Sequence, residues 1–226
     1  MRNASYLLID IPAFVLFAFI HTLLATLKVK NYFASRIGNL MAFYRLAYNI
    51  FFLWLFWYMF ENLPRPDFEL YDLPFPYDFL ILIPQFLALA GIIWTFRYFS
   101  AAEFLGLTQI KRWISSRSVK EWNSPDNAAS LSIPEATVPD EILTLRISGP
   151  YKVVRHPLYL FTILFLMLRP TMDIFYLVFL IFIIVYFYIG SFYEERKLVS
   201  SFGNQYSKYQ AVVPRLLGCR ICSLIK

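Results

Sequence analysis

The sequence predicts an all-α integral membrane protein: a bundle of about five transmembrane helices, the last two a hairpin, followed by a short cytoplasmic C-terminal helix. Three observations predict it. The 226 residues are 59% hydrophobic and only 16% charged, with a mean hydropathy of +0.54. A soluble domain is about 45–50% apolar and about 25% charged. Long apolar windows recur along the chain, and its basic residues cluster in particular connections between them.

A bilayer crossing takes about 20 mainly apolar residues. Windows 6–27, 40–60 and 78–99 qualify, all within an N-terminal region of three helices, 1–110. A fourth apolar block, 157–193, is too long for one helix, and Arg169-Pro170-Thr171-Met172-Asp173 interrupts it. Proline breaks a helix interior, so the block reads as a hairpin of arms 157–168 and 173–193. The first window is longer than the apolar core of a cleavable signal and lacks a small-x-small site, so it is expected to remain as a helix. The whole of 1–226 reads as one membrane domain, with a polar cytoplasmic loop at 111–148 and a hairpin-and-tail region at 149–226. The centre of that loop, 115–139, is rich in Ser, Pro, Asn and Ala, and a helix is possible near 141–147.

Lys and Arg in short loops set orientation. The connection 28–39 carries Lys28, Lys30 and Arg36 and no acid, whereas 61–77 carries Glu61, Asp67, Glu69 and Asp72 against Arg65. The tail after Glu195 has six basic residues and no acid. Five helices with the N-terminus outside put every basic segment, and the C-terminus, in the cytoplasm. The net charge of +6 is then a topology signal, and the basic residues flank spans rather than form a stripe for nucleic acid.

Cys219 and Cys222 form a lone C-x-x-C. A zinc site wants four ligands, and His21 and His156 belong to other regions, so no metal is expected. Two reduced thiols beside a membrane is the plainer reading.

Chemistry-bearing residues gather late in the chain. In Gly149-Pro150-Tyr151-Lys152-Val153-Val154-Arg155-His156-Pro157-Leu158-Tyr159, Gly and Pro shape a turn, and Pro157 suits the first turn of a helix. Arg155 and His156 supply donors, although Arg155 reads equally well as a headgroup anchor. Glu194-Glu195-Arg196 follows the last apolar arm. Two acids at a helix C-terminus would oppose its dipole, which marks them for function, or for simple pairing with Arg196 and Lys197. Both ends of the hairpin return to one side, which permits a shared pocket. Tyr206 and Tyr209 lie at i and i+3, as interfacial anchors or as a cover over a ligand. In the first half, His21, Arg45 and Asn49 are intramembrane polar groups, although His21 and Arg45 are also near enough to the interface to snorkel.

These C-terminal residues resemble the isoprenylcysteine carboxyl methyltransferase superfamily. The pattern is Gly149-Pro150-Tyr151-x-x-x-Arg155-His156-Pro157-x-Tyr159, Glu194-Glu195-Arg196-x-Leu198, Phe202-Gly203-x-x-Tyr206-x-x-Tyr209 and Val213-Pro214. It covers about the last 80 residues. The N-terminal half is similar to a narrower branch, the NnrU-like proteins and methanethiol S-methyltransferases. There the matching residues are His21-x-x-Leu24-Ala25, Val29-Lys30, Tyr44-Arg45-Leu46-x-Tyr48-Asn49 and Glu103-Phe104-Leu105-Gly106-Leu107-x-Gln109.

The resemblance implies S-adenosylmethionine bound at the cytoplasmic ends of the last two helices. Gly149, Tyr151, Arg155, His156, Pro157, Tyr159, Glu194 and Glu195 would form its site, with Arg155 and His156 as catalytic candidates. His21, Arg45, Asn49 and Tyr206 are candidates toward the acceptor. The implied acceptor is a small or lipid-soluble thiol, methanethiol-like, or a prenylcysteine-type group. The implied setting is the bacterial inner membrane, or the endoplasmic reticulum or nuclear envelope in a eukaryote. The alternative is a non-catalytic membrane protein of NnrU-like or nurim-like type supporting respiratory or envelope assembly.

Overall fold

Helices dominate the computed structural model, which describes residues 2–66, 68–98, 101–116, 145 and 147–216. Among the described residues, four helical stretches are long and apolar enough to cross a membrane: Leu8–Ala25, Leu27–Asn62, Tyr77–Phe96 and Ile174–Phe202. A shorter apolar helix spans Pro157–Met167. The chain divides into two compact units, residues 8–64 with 100–140, and residues 65–99 with 141–226 and the first seven residues.

The first of these units holds α1 (Arg2–Ala25) from Leu8 onward, α2 (Leu27–Ile37), a 3-10 segment (Gly38–Phe43), α3 (Tyr44–Asn62), α5 (Ala101–Leu105) and α6 (Leu107–Ser116). The stretch 28–39, expected as a loop, is therefore mostly helix, because it lacks a helix breaker before Gly38. The polar stretch expected from 111 likewise begins as helix. Aromatic rings fill the space between α1 and α3: His21 lies 4.7 Å from Phe52 and 5.2 Å from Tyr48, and Phe17 packs edge-on to Phe52.

The other unit holds β1 (Glu69–Asp72), α4 (Tyr77–Phe96), a 3-10 turn (Gly149–Lys152), α7 (Pro157–Met167), β2 (Thr171–Asp173), α8 (Ile174–Phe202) and α9 (Asn204–Val212). The hairpin exists, but its arms are unequal. The eleven residues of α7 reach about 16 Å, half a bilayer, and Pro170 prevents continuation. The turn is not bare. β2 pairs antiparallel with β1 in the register Tyr71↔Met172 and Asp72↔Thr171, which satisfies backbone groups that would otherwise need water. Asp173 caps α8 by accepting the Tyr176 N–H at 2.7 Å. Along the shaft α7 packs on α4, where Gly91 admits Phe161: a Cβ on Gly91 would fall 2.5 Å from that ring.

α8 does not stop at Tyr193. Glu, Arg, Lys and Leu are good helix formers, and the helix runs on to Phe202, closed by Gly203. Leu198, Val199 and Phe202 on this extension pack with Tyr206, Tyr209 and Val213. Glu194 and Glu195 thus lie about two turns inside the helix, and the argument from an opposing helix dipole does not apply to them. Residues 117–144, most of the helix expected at 141–147, and Cys219 and Cys222 lie outside the described residues.

Candidate active site

Gly149 starts the turn with φ +55°, a conformation costly for any other residue, and its missing side chain leaves room for the Tyr98 ring, 2.3 Å from where a Cβ would stand. The 3-10 turn delivers Arg155 and His156 just before α7, with Pro157 buried at the first helical position. The tail then fastens to this pair through backbone. Arg155 N–H donates to the Pro214 carbonyl at 2.8 Å and His156 N–H to Arg215 at 3.0 Å.

α8 brings the acids. Phe187, Ser191, Glu194, Glu195 and Leu198 recur at i, i+4, i+7, i+8 and i+11, one helical face. Glu195 is 2% exposed. Arg155 meets its carboxylate side-on, Nε to Oε1 at 2.8 Å and Nη2 to Oε2 at 3.2 Å. Arg215 does the same from the tail, Nε to Oε1 at 3.2 Å and Nη2 to Oε2 at 2.8 Å. Gln210 Nε2 adds 2.9 Å to Oε2, and His156 Nε2 stands 3.2 Å from Oε1. A carboxylate offers about four acceptor sites, so Glu195 is saturated. Arg155 is nearly so, since its Nη1 also donates to the Gln210 and Val213 carbonyls at 2.8 and 2.7 Å. The Arg215 guanidinium lies 3.7 Å over the Phe192 ring, a stacking that favours Arg over Lys.

Glu194 differs. Its side chain is 49% exposed, with Oε2 3.3 Å from His156 Nδ1 and Oε1 accepting from the Tyr159 hydroxyl. The rings of His156, Tyr159 and Phe187 stack in a column, with spacings of 5.2 and 4.3 Å. A carboxylate faces each nitrogen of His156; an imidazolium donates to both, a neutral ring to one at a time.

The structure therefore gathers Arg155, His156, Tyr159, Glu194 and Glu195. Tyr151 supports from behind: its carbonyl accepts from the Tyr209 hydroxyl at 2.6 Å, and burial, then the Glu194 charge, push its own hydroxyl above the usual tyrosine range. Burial likewise raises Tyr209 to about 12 and Tyr206 further. Tyr206 is 2% exposed in the packed cluster with Tyr209 and Val213, so its role is core packing rather than surface anchoring. Arg215 and Gln210 were not among the residues expected at this site. No sequence signal marked them, since a basic residue in a basic tail reads as a topology residue.

His21, Arg45 and Asn49 belong to the other unit, where the motifs they sit in clamp helices together. Tyr44 and Tyr48 hydroxyls donate to the Leu24 and His21 carbonyls, both at 2.8 Å. Asn49 Nδ2 donates to Phe104 O at 3.0 Å. With the Gln109 amide turned to satisfy both its ends, Arg45 Nη1 donates to its oxygen at 3.3 Å. These contacts account for the Tyr44–Asn49 and Glu103–Gln109 patterns as packing devices.

Fold and site together define a helical membrane protein with a buried carboxylate–guanidinium cluster at the junction of a loop, a short helix and a long one. The chain is similar to curated proteins of one kind. Methanethiol S-methyltransferase of Pseudomonas deceptionensis is 40% identical over 67 residues, 30% of this chain and 26% of that protein. Methanethiol S-methyltransferase 1 of Bradyrhizobium diazoefficiens is 26% identical over 223 residues, 96% of this chain and 69% of the relative. A further methanethiol S-methyltransferase, from a Pseudomonas species, repeats the 40% identity over 67 residues. The match to the two Pseudomonas proteins spans about a quarter of their length. These relatives support the resemblance to the methanethiol S-methyltransferase-like branch. No protein-family model and no solved structure matches.

Proposed function

We propose that this chain is a multi-pass membrane methyltransferase that uses S-adenosylmethionine to methylate a small or lipid-soluble thiol. The observation that carries the proposal is the division of labour in the Glu pair: Glu195 is consumed by Arg155 and Arg215, while Glu194 keeps a half-exposed carboxylate fixed by Tyr159 and His156. That half-exposed carboxylate, an acceptor, fits the ribose hydroxyls or the cationic groups of S-adenosylmethionine, and Glu195, already saturated, does not. When bound, S-adenosylmethionine supplies a sulfonium methyl, which passes to a thiolate sulfur as the new C–S bond forms and the old one breaks.

The rest is the work of the chain. Tyr159 and His156 hold Glu194 in one orientation, and holding reactants in line is a large part of catalysing a displacement. Arg155 and Arg215 act through Glu195 and His156 as positioning residues. The thiol sulfur must give up its proton as the methyl arrives, and an apolar surround strips water from the nucleophile. The same reading gives five spans, counts α7 as one of them, and puts the site and the C-terminus in the cytoplasm of a bacterium. The test is binding of labelled S-adenosylmethionine to purified protein, then labelled-methyl transfer to methanethiol. Donor-dependent formation of dimethyl sulfide is expected, and absence of donor binding in folded protein refutes the proposal.

A further inference from the structure

The helical stretch Leu27–Asn62 has 36 residues. At about 1.5 Å per residue it is about 54 Å long, against a hydrocarbon core of about 30 Å. The nineteen residues of α3 reach about 28 Å and suffice to cross. α2 and the 3-10 segment must then lie outside the core. The chain breaks where this requires: Gly38, at φ +50°, closes α2 and opens the 3-10 segment. Within the same unit α6 packs against that segment, with Trp113 edge-on to Phe43 at 5.1 Å.

This surface carries one sign of charge. Residues 27–43 and 107–116 contain five Lys and Arg and no acid. Lys28, Tyr32 and Arg36 recur every four residues along one exposed face of α2, with the Arg36 guanidinium 5.6 Å over the Tyr32 ring. Lys111 and Arg112 are exposed on α6. Beside these cations Leu27, Leu40, Leu107 and Ile114 are also exposed. Exposed apolar side chains next to the exposed Lys28, Arg36, Lys111 and Arg112 make a surface suited to the boundary between acyl chains and headgroups.

We infer that α2, the 3-10 segment and α6 form a platform that selects anionic phospholipid headgroups at the membrane surface. The cations meet lipid phosphates while the neighbouring leucines and Ile114 enter the acyl boundary. The inference needs no catalytic role and stands apart from the proposed methyl transfer.

The test uses the full chain in nanodiscs of mixed phosphatidylcholine and phosphatidylglycerol, with lipids retained after mild detergent release counted by native mass spectrometry. Each basic residue near an anionic surface is worth about fivefold in affinity. Phosphatidylglycerol should therefore be enriched at least fivefold over its share of the disc. Combined Lys28→Gln, Arg36→Gln, Lys111→Gln and Arg112→Gln should return retention to the bulk ratio, and Lys197→Gln with Lys208→Gln should leave the enrichment intact. Should the fourfold variant fail to insert, the single changes Lys28→Gln and Arg112→Gln carry the test, each lowering enrichment severalfold. Enrichment that survives in those variants, falls equally in the control, or is displaced by free inorganic phosphate overturns the inference.

Discussion

Replacing Glu195 by Gln removes a negative charge that two guanidiniums share. The new amide keeps one oxygen, but its NH2 must face donors, since Arg155 Nη2, Arg215 Nη2 and Gln210 Nε2 all point at Oε2. The side chains of Glu195 and Arg155 are 3% and 10% exposed, and Arg215 is 22% exposed. Breaking a buried pair costs about 3–5 kcal/mol. Arg215 regains some hydration, so the lower end, about 3 kcal/mol, is expected. In a chain of this length 1 kcal/mol moves Tm by about 2–4 °C, which gives a fall of roughly 6–12 °C. The assay is thermal unfolding of the detergent-purified protein followed by helical circular dichroism. Glu194→Gln is the contrast. Its half-exposed side chain should leave Tm within about 2 °C of wild type, yet weaken S-adenosylmethionine binding by tens of fold, as loss of a charged contact to a ligand does. Glu195→Gln melting with the wild type, or Glu194→Gln binding the donor normally, refutes the division between the two acids.

Removing both partners of a buried pair costs less than the sum of single losses, so Glu195→Gln with Arg215→Met should melt above the additive expectation; strict additivity would dissolve the pair. Gly91→Ala puts a methyl into the Phe161 ring and should cost about 1–3 kcal/mol by overpacking, with Phe161→Leu restoring part of it; an unchanged melt would deny close α4–α7 packing. Burial pushes the Tyr209 hydroxyl up to about 12 from its ordinary 10.0. Its folded pKa is raised, so its stabilisation is complete below about pH 10 and is lost as pH rises toward 12. A wild-type minus Tyr209→Phe absorbance titration should show no Tyr209 phenolate near pH 10 while helicity persists, and a midpoint at 10 would contradict its burial. Reporter fusions after Lys226 and within residues 61–77 should report opposite sides of the membrane, and the same side for both would overturn the topology.

Much of the site was legible because its chemistry is carried by rare residue types in an apolar chain. Arg155, His156 and the Glu pair stood out against their surroundings, and Pro170 fixed the hairpin that lets them meet. Helix extents were less legible because hydropathy reports lipid contact rather than backbone conformation. Glu194 through Phe202 is polar yet continues α8, held by Leu198, Val199 and Phe202 against the tail tyrosines. The polar connection after α1 is likewise a helix. Arg215 was hidden for a different reason. A basic residue in a basic tail looks like a topology signal, and only the pairing of residues 155–156 with 214–215 shows that it is drawn onto Glu195.

The unequal roles of two adjacent glutamates follow from helix geometry. Successive residues on an α-helix point about 100° apart, so a Glu-Glu pair cannot present both carboxylates to one ligand in the same way. On α8 that angle turns Glu195 toward the turn and tail, where two guanidiniums and Gln210 meet it, and leaves Glu194 at the edge beside Tyr159. The buried acid then serves assembly. It ties three segments distant in sequence, the 149–156 turn, α8 and the tail through Arg215, around one carboxylate. His156 lies between the two acids, with one ring nitrogen toward each. A change at Glu195 or Arg215 can therefore alter Glu194 without touching it, and effects of tail substitutions on donor binding are to be read through His156 before they are assigned to direct contact.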